Sequence, residues 1–275
     1  MNPERAADSP GRSGRSVTSR ALSVLDTFDG AHRALSVSEI ARRAGMPVAT
    51  AHRLVGELCR WGALESTPTQ HYVVGRRLWE IALLSPRRSN IIELASPHMQ
   101  DVLYETQSVV NLFVLDGTEA VLVTRISGTN VGDPLRQVGE RLPLHASAAG
   151  KVLLAYGSDA LRESLRRSGL RAFTPHTIDS HEQLAAELVQ VRRAGYAVTN
   201  EELGVNNFGI AVPVVEHGVT RLALGVVTKE APRNIGIIVP VLRLAARAIA
   251  RKVEADGLSI DPVRLGRAAE AVLGA

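Results

Sequence analysis

Few residues in this chain could do chemistry, and their spacing decides what they can be. Gly150-Lys151 looks like the end of a phosphate-binding loop, in which a lysine reaches the phosphates. His145 stands where the leading glycine belongs and Val152 replaces the Ser or Thr, so that use is rejected. Lys151 is expected instead to be a surface or cap residue on a helix. His145 and Ser147 could suggest a base and a nucleophile. Residues two apart do not face each other on a helix, however, and there is neither a G-x-S-x-G elbow nor a third group. His176, His181 and His217, with or without His145, lack zinc-ligand spacing. Cys59 is the single cysteine, which excludes an intrachain disulfide and a cysteine-cluster metal site. No G-x-G-x-x-G follows a strand-like run, so dinucleotide binding is unsupported. The expectation is no metal, no cofactor and no enzyme activity.

A different chemistry is concentrated in G-M-P-V-A-T-A-H-R-L-V-G-E-L-C-R-W, from Gly45 to Trp61. Ala51, Leu54, Val55 and Leu58 follow the i, i+3, i+4, i+7 spacing of a one-sided helix, with Pro47 placed for its first residue. At about 100° per residue, Ala49, Arg53, Gly56 and Arg60 share the opposite side, flanked by Thr50 and His52. Guanidinium groups and hydroxyls among very small residues can press close to a phosphate-lined groove; a plain solvated polar face is the competing reading. The segment before it favours the groove. Ser36 and Glu39 stand at capping-box spacing, Val37, Ile40, Ala41 and Ala44 form a stripe, and Gly45 ends it. Two helices joined by so short a Gly-containing turn cross steeply, as in a helix-turn-helix.

The elements around this pair complete a small domain. Val17, Ala21, Val24, Leu25 and Phe28 mark a first helix over 16–29, stopped by Gly30. Residues 63–66 and 71–74 are short strand-like runs around the turn Thr67-Pro68-Thr69-Gln70, which makes the helix-turn-helix winged. The helix at 75–84 carries Leu78, Trp79, Ile81, Ala82 and Leu84, and is expected to bury against a second copy of the chain. Pro86 should end it, with Arg87 and Arg88 as a polar hinge. Residues 1–88 hold 13 Arg and no Lys against 8 acidic side chains, whereas the remainder holds 19 basic against 20 acidic ones. The positive charge therefore accompanies the helix-turn-helix, as phosphate neutralisation requires.

The 275 residues allow one or two domains. No apolar run reaches the roughly 18 residues of a membrane span, and residues 1–15 read as a disordered tail without a secretory h-region. A second unit opens with a helix over 91–107. Strand-like runs follow at 109–115 and 120–126 around Asp116-Gly117, then at 196–201, 209–215 and 221–228, the last two joined by a turn at His217-Gly218. Helices are expected at 149–155, 182–193 and 235–253. Hairpins flanked by helices indicate an antiparallel α+β sandwich, not a doubly wound parallel sheet. The expected division is tail 1–15, winged helix-turn-helix 16–75, linker helix 76–88, second domain 89–256 and C-terminal tail 257–275.

Several motifs in fixed order resemble the IclR family of bacterial transcription regulators over about residues 16–255. They are S-R-A-L-S-V-L at 19–25, L-S-V-S-E-I-A-R-R-A-G at 35–45, A-T-A-H-R-L at 49–54 and V-N-L-F-V-L-D-G at 110–117. R-L-P-L-H-A-S-A-A-G-K-V-L-L-A at 141–155, R-R-A-G-Y-A-V at 192–198 and G-I-A-V-P-V at 209–214 complete the set. The resemblance implies an α+β protein in which a winged helix-turn-helix precedes a GAF/profilin-like antiparallel α/β effector-binding domain. It implies a cytoplasmic homodimer or homotetramer that binds double-stranded DNA and regulates a catabolic operon, more often as a repressor. By the same resemblance the DNA-binding residues are Arg20, Ser36, Pro47, Ala49, Thr50, His52 and Arg53. For Arg42 and Arg43, phosphate contact and simple solvation weigh equally.

The resemblance also implies an effector pocket lined by Ala146, Ser147, Ala148, Ala149, Thr199, Gly209, Gly225 and Val227. Relatives that bind small oxo-acids have an Asp, a Cys and two Ser at the positions of Thr199, Gly209, Gly225 and Val227; all four are replaced here. A floor of Gly209, Gly225 and Val227 is expected to leave a roomier, more apolar pocket for a larger or more hydrophobic effector. Ser147, Thr199 and backbone N–H groups would be its donors. The rival reading is a small-molecule enzyme whose N-terminal module only mediates assembly.

Overall fold

A computed structural model of the protein describes residues 16–30, 32–84, 86–128, 137–216, 218–229, 231 and 234–256. The expected tails at 1–15 and 257–275, and His217, lie outside the described residues. The chain divides into two compact units, the first ending at Ala82 and the second beginning at Leu83.

In the first unit α1 (Val17–Leu25) is capped by the Ser16 hydroxyl, which accepts from the Ser19 N–H. The capping box of α2 (Val37–Ala44) is complete: Glu39 N–H donates to Ser36 Oγ at 3.3 Å, and Ser36 N–H donates to Glu39 Oε2 at 2.8 Å. Gly45 closes α2 at φ 63°, a left-handed turn that glycine enters without strain. Pro47 is the N-cap of α3 (Val48–Trp61), one position before the expected first residue. β1 (Leu64–Ser66) and β2 (Tyr72–Val74) form the wing, paired antiparallel with Leu64 opposite Val74. Val24, Leu35, Ile40, Leu54, Val55 and Leu64 make the core under the three helices. Val17, expected on the inner stripe of α1, is exposed.

The connector differs from expectation. α4 spans Arg76–Leu83 and α5 spans Pro86–Thr106, so Pro86 opens a helix where it was expected to end one, and Arg87 and Arg88 are helical, not a hinge. Proline lacks only the N–H that the first helical turn leaves unpaired, so it starts a helix as readily as it stops one. The linker expected at 76–88 is therefore α4 plus the first turn of α5.

The second unit is one six-stranded antiparallel sheet between two helical layers. Its strands are β3 (Val109–Asp116), β4 (Glu119–Ile126), β5 (Arg141–Pro143), β6 (Ala197–Asn200), β7 (Phe208–Glu216) and β8 (Val219–Thr228), in the order β5-β4-β3-β8-β7-β6. The period-2 alternation assigns the faces. Val110, Leu112 and Val114 of β3 join Leu222, Leu224 and Val226 of β8 beneath α5 and α9 (Ile235–Ala255). Phe113, Ala211 and Ala223 face α6 (Ala148–Ala155) and α8 (His181–Ala194). α7 (Asp159–Arg167) and the short β5 were not anticipated from the sequence. No described helix is long and apolar enough to cross a membrane.

Candidate nucleic-acid interface and effector pocket

α3 buries Ala51, Leu54 and Val55 and turns Ala49, His52, Arg53, Gly56 and Arg60 outward, with Thr50 half-buried beside them. Arg53 and His52 make no hydrogen bond or ion pair with a described residue. Arg60 pairs with Glu57, whose carboxyl is held below its usual range chiefly by that hydrogen bond. Gly56 is informative because a methyl built there meets nothing within 4 Å. A glycine inside a helix costs about 1 kcal/mol relative to alanine, and nothing within the unit requires it. An outside surface approaching α3 closely would.

The other predicted DNA-binding positions divide. Pro47 is exposed at the start of α3, and Arg20 lies half-buried on α1 with no ion pair to a described residue. The Ser36 hydroxyl is committed to Glu39, to which it donates at 2.8 Å. Arg43 is a structural residue: its Nε donates to the Thr27 carbonyl at 2.9 Å and its guanidinium pairs with Asp29 at 2.7 Å. Arg42 is exposed. The wing tip is rigidified by Thr67, whose N–H and hydroxyl both donate to the His71 carbonyl, with Gln70 at φ 57°.

In the second unit, Ala146, Ser147, Ala148, Ala149, Thr199, Gly209, Gly225 and Val227 all line one cavity. Phe113, Leu142, Leu203 and Asn207 complete it and were missed, although the alternation in V-N-L-F-V-L places Phe113 on the face opposite Leu112. The cavity is tight, about 30 Å³, room for a water molecule or two, which corrects the expected roominess. The glycines do not create space; they relieve crowding. A methyl on Gly209 would lie 2.7 Å from Thr199 Oγ1, and one on Gly225 would lie 2.7 Å from the Ile210 carbonyl oxygen.

The donor set also changes. Ser147 Oγ donates to the Pro143 carbonyl at 2.8 Å and accepts from Gly150 N–H at 3.1 Å as N-cap of α6, so its proton is spent. Thr199 is 4% exposed, and its hydroxyl makes no hydrogen bond with a described residue. The Ala148 and Ala149 N–H groups precede the first intrahelical bond of α6 and carry the positive end of its dipole. These N–H groups and Thr199 can hold a carboxylate.

Lys151, expected at the surface, is 1% exposed. Its Nζ lies 2.7 Å from Glu202 and 3.1 Å from Glu187, binding α6 to α8 and to the 201–207 loop that carries the cavity residues Leu203 and Asn207. That loop enters and leaves through Glu201 and Asn206 at φ 55° and 56°, and is pinned by Thr177 Oγ1 donating to the Glu202 carbonyl at 2.6 Å. Gly150 is fixed by close approach: a methyl there would meet Leu144 Cα at 2.5 Å. His145 bonds the Arg171 carbonyl at 3.0 Å and lies beside Phe173. The G-K pair therefore serves packing and a buried ion pair, not phosphate.

Comparison with known proteins agrees with this geometry. Residues 17–68 match the IclR helix-turn-helix domain, and residues 85–254 match the domain described as bacterial transcriptional regulator IclR C-terminal. The chain is 32% identical over 200 residues to the HTH-type transcriptional regulator XynR of Escherichia coli K12, covering 72% of this chain and 79% of that one. It is 29% identical over 187 residues to the transcriptional repressor IclR of the same organism, covering 66% and 68%. An IclR homolog from Microbacterium hydrocarbonoxydans, solved in complex with 4-hydroxybenzoate, superposes with a TM-score of 0.80 at 34% identity, over 87% of this chain and all of that one. With a helix-turn-helix followed by a helix-covered antiparallel sheet, the chain belongs to the IclR family of bacterial transcriptional regulators.

Proposed function

We propose that this regulator is a cytoplasmic repressor of a catabolic operon, acting as a homo-oligomer whose paired α3 helices read a pseudo-palindromic operator. Half-sites would lie roughly one helical turn or a multiple apart. The observation that carries the reading is the outward face of α3, where an uncommitted Arg53 stands beside a glycine that the fold itself does not need. Thr50, His52 and Arg53 would approach base edges, with Ala49 permitting close contact. Arg20, Pro47 and the backbone near Ser36 would lie against phosphates. α4 supports self-association: Trp79 and Ile81 are 60% and 45% exposed, a pair too apolar to leave in water. Gly56→Ala is expected to raise stability by about 0.5–1 kcal/mol while weakening operator binding, a pairing that melts and DNA titrations together would detect.

The effector is an organic acid held by the α6 N-terminus and Thr199, among Ala146, Ser147, Ala148, Ala149, Gly209, Gly225 and Val227. Because the cavity is small, its entry requires the 201–207 loop to yield, and binding then favours one arrangement of the chain. Such coupling amounts to about 1–3 kcal/mol, or 5- to 150-fold in operator affinity. Organic acids would be screened by thermal shift, since native-state binding raises the melting point. Each hit is then added to the protein bound to DNA flanking its own coding sequence. Release of the DNA supports the reading; effector binding that leaves operator affinity unchanged refutes the coupling.

A further inference from the structure

A groove of about 440 Å³ in the second unit is walled on one side by α9, through Arg243, Ala246, Arg247, Ala250, Arg251 and Glu254. Its other side is Val212, Pro213 and Val215 of β7, with Tyr156 at the end of α6 and Gly195 at the end of α8. β6 pairs with β7 only as far as Ala211, whereas β8 follows β7 to Glu216. The groove therefore lies along a stretch of β7 that β6 leaves uncovered. The effector cavity shares no lining residue with it. Arg243 is already committed: its guanidinium donates to the Ala194 carbonyl at the C-terminal end of α8 and lies 5.8 Å from the centre of the Tyr196 ring. Arg247 and Arg251 are exposed and make no hydrogen bond or ion pair with a described residue.

Residues four apart stand one turn, about 6 Å, above one another on a helix. Like charges at that spacing destabilise a helix by themselves, and an anion bridging them reverses the effect. The positive field at this end of α9 reaches α5: His98 is held below its ordinary pKa by burial and then by Lys252, with Arg251 adding to them against Asp101. Glu254 is the one acid among the described lining residues. Guanidinium forks bond phosphate oxygens in pairs, and two forks a turn apart can hold neighbouring phosphates. Ala246 and Ala250 place only methyl groups between the arginines, so a ligand can lie close along α9. Tyr156 and Pro213 offer an aromatic and an aliphatic surface for a planar ring. The volume is that of a small-molecule site. An added strand fits poorly, because Pro213 has no N–H with which to continue a ladder. A two-fold contact of this face with its own copy would set arginines against arginines.

We propose that this groove is a second small-molecule site, separate from the effector cavity, and that it takes a ring-bearing phosphate ester of the nucleoside polyphosphate class, with its phosphates on Arg247 and Arg251. The test is calorimetric titration of the full chain with adenosine 5′-triphosphate, adenosine and citrate. The triphosphate should bind at a single site per chain, and adenosine and citrate about tenfold or more weakly. Arg247→Ala and Arg251→Ala should each weaken triphosphate binding by about tenfold or more, the loss of a charge-assisted contact. Lys252→Ala removes the same charge from an exposed position outside the groove and should leave the affinity within about twofold. Without ligand all three variants should melt close to the wild type, since none of these side chains is buried. Triphosphate binding that survives both arginine substitutions places the anion elsewhere, the α3 face included, and overturns the assignment. Absence of binding, or a preference for citrate, overturns the ligand class. Sedimentation velocity and operator titration of Arg247→Ala without ligand cover the other occupants. A changed oligomeric state would make the groove a subunit contact, weakened operator binding would make it a DNA contact, and either result overturns the proposal.

Discussion

Lys151→Met is expected to cost about 3–5 kcal/mol, because it leaves the Glu202 carboxylate, with 10% side-chain exposure, facing Glu187 without a cation. For a chain of this size that is a fall in Tm of roughly 6–20 °C. The pair's net worth is smaller than this penalty, so Lys151→Met with Glu202→Gln should recover much of the loss. The pH dependence follows from Glu202, whose carboxyl burial pushes above its ordinary range, against the opposing pull of Lys151. A group with a raised folded-state pKa contributes stability that is present at low pH and lost as pH rises through its folded value. The deficit of Lys151→Met should therefore shrink in mildly acidic buffer and widen above neutrality. Thermal melts of both variants across pH check this; a Lys151→Met melt matching the wild type at neutral pH would show that the ion pair holds nothing together.

Arg53→Ala is expected to weaken operator binding by about 10- to 100-fold with little change in the melt, since the side chain is exposed and makes no hydrogen bond or ion pair with a described residue. The pattern of loss separates two roles. Relaxed preference at one base pair would identify a base-reading arginine; uniform weakening over all sequences would identify a phosphate anchor. Binding titrations against an operator and its single-base variants provide both readings.

Local chemistry made the helix-turn-helix legible. Ser36 and Glu39 cap one turn of chain, Gly45 supplies the left-handed residue, and the stripe at Ala51, Leu54 and Val55 is buried as its spacing requires. The hairpin at Gly117 and the antiparallel sheet were legible for the same reason. What sequence misread depends on distant partners. Lys151 meets Glu202 across 51 positions, and no local pattern distinguishes that lysine from a surface one. Arg43 has the composition of a solvated face, yet it reaches back to Thr27 and Asp29. Pro86 is ambiguous in principle, because the same missing N–H ends one helix and begins the next. Gly209 and Gly225 suggested room, but glycine also permits the close approach of neighbours, and here Thr199 and Ile210 use that freedom. The eight positions expected to line an effector pocket border one cavity because motifs far apart in sequence converge on one face of the sheet.

The central claim is that the cationic face of α3 docks on duplex DNA, and salt titration of operator binding by the full chain tests it most directly. Releasing counterions from about six phosphates predicts a linear fall of log affinity with log salt, amounting to roughly 10³ between about 50 and 200 mM. A flat response, or binding that ignores substitution of Arg53, would contradict the account.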